Sequence, residues 1–380
     1  MTTEIQVVKD IKLYIFFFLL SHTSMPEILL GIDYSQIYTD AFDQAGGSAN
    51  ITNSAQEGIL TSNPALLGVG NRAIRWAGLS TTYSIGKKST DIIKSYSDLE
   101  KNATKNEVDS AKFIGILQKN PVHIGITQTL SLVSNWGGVL LLGKTHPDLK
   151  IWKYGHPTEP TGLPSAYLQT QTLGAGVVGF TLPTVFSFLH LGVSVKHIAS
   201  SSITKSLDLS STDVEAAQTE FTESATTSLN RGTGADLGSI ISLYGTNVDL
   251  MVASTVSNVG GLKLVSPDSV TTIEQSQNIG ASITIHNDSS SLSLSAQLKD
   301  IHKTADTEYY KRLSLGTKLT LFSFLGIATG LHDGSPTYGI TLNPPFIRIS
   351  ATTLTKEYLS SPGLDRRQIY LLSLSFGSRF

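Results

Sequence analysis

Ser291-Leu292-Ser293-Leu294-Ser295-Ala296-Gln297-Leu298-Lys299 alternates apolar and polar side chains almost without a break. Successive side chains of an extended chain point to opposite faces, so such a stretch has one apolar and one polar side. The same period recurs elsewhere. Leu313, Leu315, Thr317, Leu319 and Leu321 oppose Ser314, Gly316, Lys318 and Thr320, and Ile279, Ala281, Ile283 and Ile285 oppose Gly280, Ser282, Thr284 and His286. Near the end Tyr370, Leu372, Leu374 and Phe376 oppose Ser373, Ser375 and Gly377. A soluble sandwich would carry Lys and Glu on its polar face. Here that face is mostly Ser, Thr, Gly and Gln, which suits a lumen, with the apolar face toward lipid.

Working outward, the alternation gives about fourteen strands, an even number as in bacterial outer-membrane barrels. Their spans are 73–87, 122–135, 138–146, 165–182, 186–200, 233–244, 247–260, 274–287, 291–301, 309–322, 324–332, 336–343, 346–358 and 366–380. The joints alternate in length. Asn135-Trp136-Gly137-Gly138, Leu182-Pro183-Thr184, Tyr244-Gly245-Thr246-Asn247, Asn287-Asp288-Ser289-Ser290, Phe322-Ser323-Phe324 and Asn343-Pro344-Pro345 are tight. Those between them, at 88–121, 147–164, 201–232, 261–273, 302–308 and 359–365, are longer, and only 333–335 breaks the trend. Short turns on one side and long loops on the other are the mark of an outer-membrane barrel. Helical patterns in two loops, from Ser97 to about Leu117 and from Ser211 to about Leu229, predict short extracellular helices.

Composition agrees. The chain has 380 residues, 28 basic and 30 acidic side chains, 15% charged residues and a mean hydropathy of +0.05. That excludes the basic excess of a nucleic-acid binder and the high net charge of disorder. A helical membrane span needs roughly 18 apolar residues in a row, and runs such as Val139 to Leu142 fall far short. With no cysteine there are no disulfides, thiolate metal sites or cysteine nucleophiles. Lys9 and Lys12 precede the apolar run Leu13 to Leu20, which reads as a secretory signal too short to span a bilayer.

Two motif matches lack the context their chemistry needs. Gly138-Val139-Leu140-Leu141-Leu142-Gly143-Lys144-Thr145 fits a phosphate-binding loop, but its interior wants to be a strand. Gly174-Ala175-Gly176-Val177-Val178-Gly179 fits a dinucleotide fingerprint, but no helix follows, and glycines in a barrel strand relieve crowding or permit curvature. The nine histidines form no metal-binding pattern. His123, His190 and His286 fall on the polar parity and are expected to line the lumen. No GxSxG occurs and no nucleophile arrangement stands out, so the chain reads as a non-enzyme without cofactors or metals.

Gln44-Ala45-Gly46-Gly47-Ser48-Ala49-Asn50 through Thr61-Ser62-Asn63-Pro64-Ala65-Leu66-Leu67 resembles the start of mature proteins of the long-chain fatty-acid transporter (FadL-like) superfamily. Gly234-Ala235-Asp236-Leu237-Gly238, Val256-Ser257-Asn258-Val259-Gly260, Gly330, Thr337-Tyr338-Gly339-Ile340, Phe346-Ile347-Arg348-Ile349-Ser350 and Asp365-Arg366-Arg367 are similar to a branch near the type IX secretion shuttle and conjugal-transfer-like barrels. The resemblance implies an all-β, transmembrane antiparallel barrel of about fourteen strands with an N-terminal lumenal plug, Asn63-Pro64-Ala65 lying near the plug's exit. The chain then divides into a signal and cleavage region at 1–31, a plug at 32–72 and the barrel at 73–380. Tyr370, Phe376 and the terminal Phe380 form the expected signal to the barrel-assembly machinery.

The function expected is uptake of small hydrophobic molecules such as long-chain fatty acids across the bacterial outer membrane, with outer-membrane lipid around the wall. The alternative is a scaffold or shuttle barrel whose long loops hold an exported protein partner.

Overall fold

The computed structural model describes residues 38–54, 56–69, 74–87, 89, 122–152, 165–208, 229–267, 270–302, 309–357 and 366–378. The signal, the two loop helices, Phe380 and the boundaries at 31/32 and 72/73 all lie outside the described residues.

Fourteen antiparallel strands close into a barrel: β1 (Ile74–Gly86), β2 (Val122–Ser134), β3 (Gly137–Trp152), β4 (Ser165–Leu182), β5 (Leu189–Asp208), β6 (Asn230–Tyr244), β7 (Val248–Ser257), β10 (Ser276–His286), β11 (Ser291–Leu298), β12 (Leu313–Leu321), β13 (Leu325–His332), β14 (Ser335–Leu342), β15 (Ile347–Glu357) and β16 (Arg366–Ser378). Each pairs with its neighbours in sequence, and β1 closes onto β16 from Ala77↔Ser378 to Gly86↔Ile369. Closure is what lipid demands, because an unpaired strand edge has no water to satisfy its backbone there.

Two differences from the sequence reading have simple causes. The connection at 261–273, read as an open loop, holds a hairpin of two short strands, β8 (Leu262–Val265) and β9 (Val270–Ile273). It is too short to stand as wall and touches β6 at Arg231↔Val265. The strand expected from 309 begins at 313, because Tyr309–Arg312 forms a helical turn first, and Arg312 donates to the carbonyls of Lys299 and Asp300.

The connection asymmetry is present. Six joints of two to six residues, from 135–136 to 343–346, share one rim with the start of β1 and the end of β16. Trp136, Phe186, Phe188, Tyr244, Phe322, Phe324 and Phe346 are exposed around that rim, and Tyr83, Tyr338 and Tyr370 face outward toward the opposite one. Aromatic rings gather where a bilayer meets water, so these are the girdles of a membrane wall. Along β15 about seven residues, roughly 23 Å of strand, separate Phe346 from Thr353, the partner of Tyr338. Between the girdles the exterior is apolar and mostly aliphatic, with Leu79, Leu130 and Leu141 lying side by side next to Phe376 across four strands.

That row tests which face meets lipid. Leu130→Arg puts a charge near mid-wall and is expected to cost about 2–4 kcal/mol of folding stability in vesicles, measured by denaturant titration. A loss below about 1 kcal/mol would mean that Leu130 does not face lipid.

Candidate functional site: a plugged lumen

Inside the barrel lies the segment 38–69. It contains helix α1 (Ala41–Ala45), a 3-10 turn at Gln56–Gly58, helix α2 (Ile59–Ser62) and a 3-10 turn at Pro64–Gly68. None is long enough to persist alone in water, so the wall and local caps must hold each. The Asp40 carboxylate caps α1 by accepting from the Phe42 and Asp43 amides at 2.8 and 3.4 Å.

The wall from β11 to β15 grips this segment with polar groups. Arg348 of β15 reaches Asp40 at 2.5 Å and Glu57 at 3.0 Å, all three buried. Lys318 of β12 donates to the Asp43 carboxylate at 2.5 Å and to the Asn53 carbonyl at 3.1 Å. Thr337 and Thr352 hydroxyls donate to the carbonyls of Ala45 and Ala41 at 2.7 and 2.8 Å. Gln297 accepts from the Asn50 amide at 3.1 Å, and Ser293 receives Asn53 Nδ2 at 3.3 Å. Two inward members of the alternating stretch at 291–299, Ser293 and Gln297, are therefore plug contacts.

Glycines let backbone approach backbone. A Cβ at Gly316 would stand 2.1 Å from the Gly46 carbonyl oxygen, and one at Gly330 2.4 Å from the Gly47 nitrogen. On the other side, a Cβ at Gly192 would meet the Pro64 carbonyl carbon at 2.3 Å, and one at Gly238 the Asn63 side-chain oxygen at 2.0 Å. Gly179, the last glycine of the false dinucleotide fingerprint, sits in β4 against Leu60. Its use is close packing against the plug.

Asn63-Pro64-Ala65 is buried between β5 and β6. Asn63 accepts from the Ala65 amide at 3.0 Å and donates to the carbonyls of Ile51 at 2.9 Å and Ser239 at 3.4 Å. Pro64 opens the following turn, where its missing N–H costs nothing. The motif is thus a turn initiator and a wall contact together.

The lumen face is not polar throughout, as the sequence reading expected. On β3 to β6, Leu140, Leu142, Leu173, Val177, Ile198 and Ile240 point inward and are buried. They pack with Leu60, Leu66, Leu67 and Val69 of the plug and with Leu262 and Leu264 of the hairpin. Those strands carry apolar residues on both faces, so strict alternation fails there and the inward side cannot be told from the outward one by pattern alone. The bore therefore has an apolar sector facing a polar, charged one.

The three histidines do face inward, in different settings. His190 bonds Ser242 at 3.0 Å beside Gly68 of the plug, and His286 meets Asp249 at 3.2 Å near the short-turn rim. His123 is buried near the other rim with Ser84, Asp148 and Arg367. Tyr370 and Phe376 face outward. Sequence reasoning missed Asp40, Asp43, Glu57, Lys318 and Arg348. A signal existed in Lys318 and Arg348, cations on otherwise small, polar inward positions, but nothing in the sequence gave their partners.

No family model matches the chain, and no curated protein matches it. Solved structures to which it is similar include the Ralstonia pickettii toluene transporter TbuX, with a TM-score of 0.48, 11% identity and coverage of 92% of this chain and 100% of that one. The P. putida toluene transporter TodX is similar with a TM-score of 0.48, 12% identity and coverage of 92% and 99%. The CymD monoaromatic hydrocarbon channel follows with 0.48, 10% identity and coverage of 91% and 99%. The closed fourteen-stranded wall with its occupied lumen is the form that the FadL-like resemblance implies.

Removing the Arg348 cation leaves Asp40 and Glu57 buried without compensation. Arg348→Met is expected to weaken plug docking by about 3–5 kcal/mol. Hydrogen exchange across 38–69 should rise sharply while the wall ladders stay protected. Unchanged plug protection would contradict the clamp.

Burial lifts the Asp40 carboxyl from 3.8 to about 6, against the pull of Arg348 and with Glu57 and Asp43 adding to the rise. A docked plug thus keeps a proton that a released plug gives up. This contribution to docking is full below about pH 3.8 and is lost as pH rises through about 6. Charge counting agrees, since at neutral pH two carboxylates face Arg348 while Asp43 is matched by Lys318. Once the intrinsic base catalysis of amide exchange is divided out, protection in 38–69 should be weaker at about pH 7.5 than at about pH 5, and Asp40→Asn, which can still cap α1, should flatten that difference.

Proposed function

We propose that this protein is a plugged outer-membrane channel through which small hydrophobic molecules enter the cell. The supporting observation is the divided bore. An apolar strip runs inside β3 to β6 up to the hairpin β8–β9, alongside a plug held largely by polar contacts on the opposite wall. An apolar solute gains about 25 cal/mol for each Å² it buries against such a strip, whereas ions and sugars gain nothing there. Leaving the plug's charged clamp intact would keep the bore shut to water while local shifts of the apolar contacts admit solute. The girdled wall supports placement in the outer membrane, and an interior that binds by burial alone needs no cofactor.

Vesicles containing the folded protein test this reading. They should take up a hydrophobic fluorescent fatty acid or a monoaromatic hydrocarbon faster than empty vesicles, and exclude sugars of similar mass. Leu140→Asp with Leu173→Asp, which puts charge on the apolar strip, should cut uptake several-fold in the fraction that keeps heat-modifiable migration. Equal uptake with and without the protein, together with a stoichiometric exported protein bound to the loops, would favour the scaffold reading.

A further inference from the structure

We propose that Ser84, His123 and Asp148 form a catalytic triad at the loop-side mouth of the lumen, hydrolysing esters of apolar acids. The three residues come from adjacent strands, β1, β2 and β3. His123 stands directly across from Asp148, and Ser84 faces Gly125, the next residue on the inward face of β2. Ser84 Oγ lies 3.1 Å from His123 Nε2, and His123 Nδ1 lies 2.8 Å from Asp148 Oδ1. This is the nucleophile, base and orienting carboxylate in hydrogen-bonded series.

Each link has a defined role. A carboxylate only accepts, so Asp148 places the neutral ring's proton on Nδ1 and leaves the Nε2 lone pair toward Ser84. Asp148 is fixed in turn by Arg367 of β16 at 2.9 Å. The backbone of His123 is pinned by Ser89, whose hydroxyl accepts from its amide at 2.9 Å and donates to its carbonyl at 3.1 Å. Other inward hydroxyls of β1 and β16, such as Ser80, Thr82, Ser373 and Ser375, bond one another. Ser84 is set apart by facing a base.

The surroundings name the substrate. Leu371 of β16 is the direct partner of Ser84 and is buried on the inner face, clustered with Ile369, Leu354 and Ala41 of the plug's α1. That is an apolar surface beside the nucleophile for an acyl chain. His146 stacks on His123 with ring centroids 5.7 Å apart. A Cβ at Gly125 would lie 2.1 Å from His146 Nδ1 and 2.3 Å from Ser84 Oγ, so a ring nitrogen stands near the serine, from where a protonated ring would donate to an oxyanion. Ser84 lies four residues along β1, roughly 13 Å, on the loop side of Ser80, so solute from the loop side meets the triad early.

The reaction balances with water as co-substrate. Ser84 Oγ bonds to the ester carbonyl carbon while His123 Nε2 takes its proton. The carbon–alkoxy bond breaks and the departing alcohol takes that proton. Water then attacks the acyl-serine, again giving a proton to His123, which returns it to Ser84 as the acid leaves. The proposal does not depend on transport.

A fluorophosphonate probe applied to the folded barrel, followed by peptide mapping, tests it, with p-nitrophenyl butyrate turnover read in parallel. One adduct on Ser84 is expected, absent from Ser84→Ala, and formed about 100-fold or more slowly in heat-modifiable His123→Gln. Asp148→Asn should shift the labelling rate in the same direction. A folded wild-type barrel without an adduct on Ser84, or equal labelling rates in wild type and His123→Gln, would overturn the triad.

Discussion

Backbone amides and carbonyls facing hydrocarbon have no solvent partner, and that constraint shapes everything else in this protein. It requires the sheet to close, with β1 finding β16 across nearly three hundred residues of chain. Closure then assigns every strand residue to lipid or to lumen by parity. A rim of aromatic side chains, most of them in the short turns themselves, marks where the membrane stops.

Closure also creates an interior that has to be filled. The segment 38–69 does so by two unlike means. Against β11 to β15 it is bound by ion pairs and hydrogen bonds, where burial raises the cost of any charge left alone. Against β3 to β6 it packs leucines on leucines. Glycines on both sides bring plug backbone within van der Waals reach of the strands. The polar side gives position, since each bond has one geometry. The apolar side is tolerant of shape, which is the property a channel for hydrophobic solutes would use.

Much of this was legible in the sequence, and the limits were physical. Strict alternation at 291–299 and 313–321 revealed the wall because one face is small and polar there. The same pattern could not reveal the inner face of β3 to β6, where Leu140 and Leu141 are both apolar and only the fold says which points inward. Asn63-Pro64-Ala65 could be recognised as a turn, but its contacts with β5 and β6 join residues more than a hundred positions apart. Lys318 and Arg348 were visible as odd cations on a lumenal parity. Their carboxylates lie about 275 and 300 residues away, beyond any spacing rule. Ser84, His123 and Asp148 were hidden for the same reason, since no short motif joins three strands.

The central claim is that the folded barrel is closed by its own segment 38–69. Conductance in a planar bilayer tests it most directly. The account predicts that the intact protein passes almost no ion current and that deleting 38–69 from an otherwise folded barrel opens a large, steady pore. A steady porin-sized current through the intact protein, unchanged by the deletion, would contradict it.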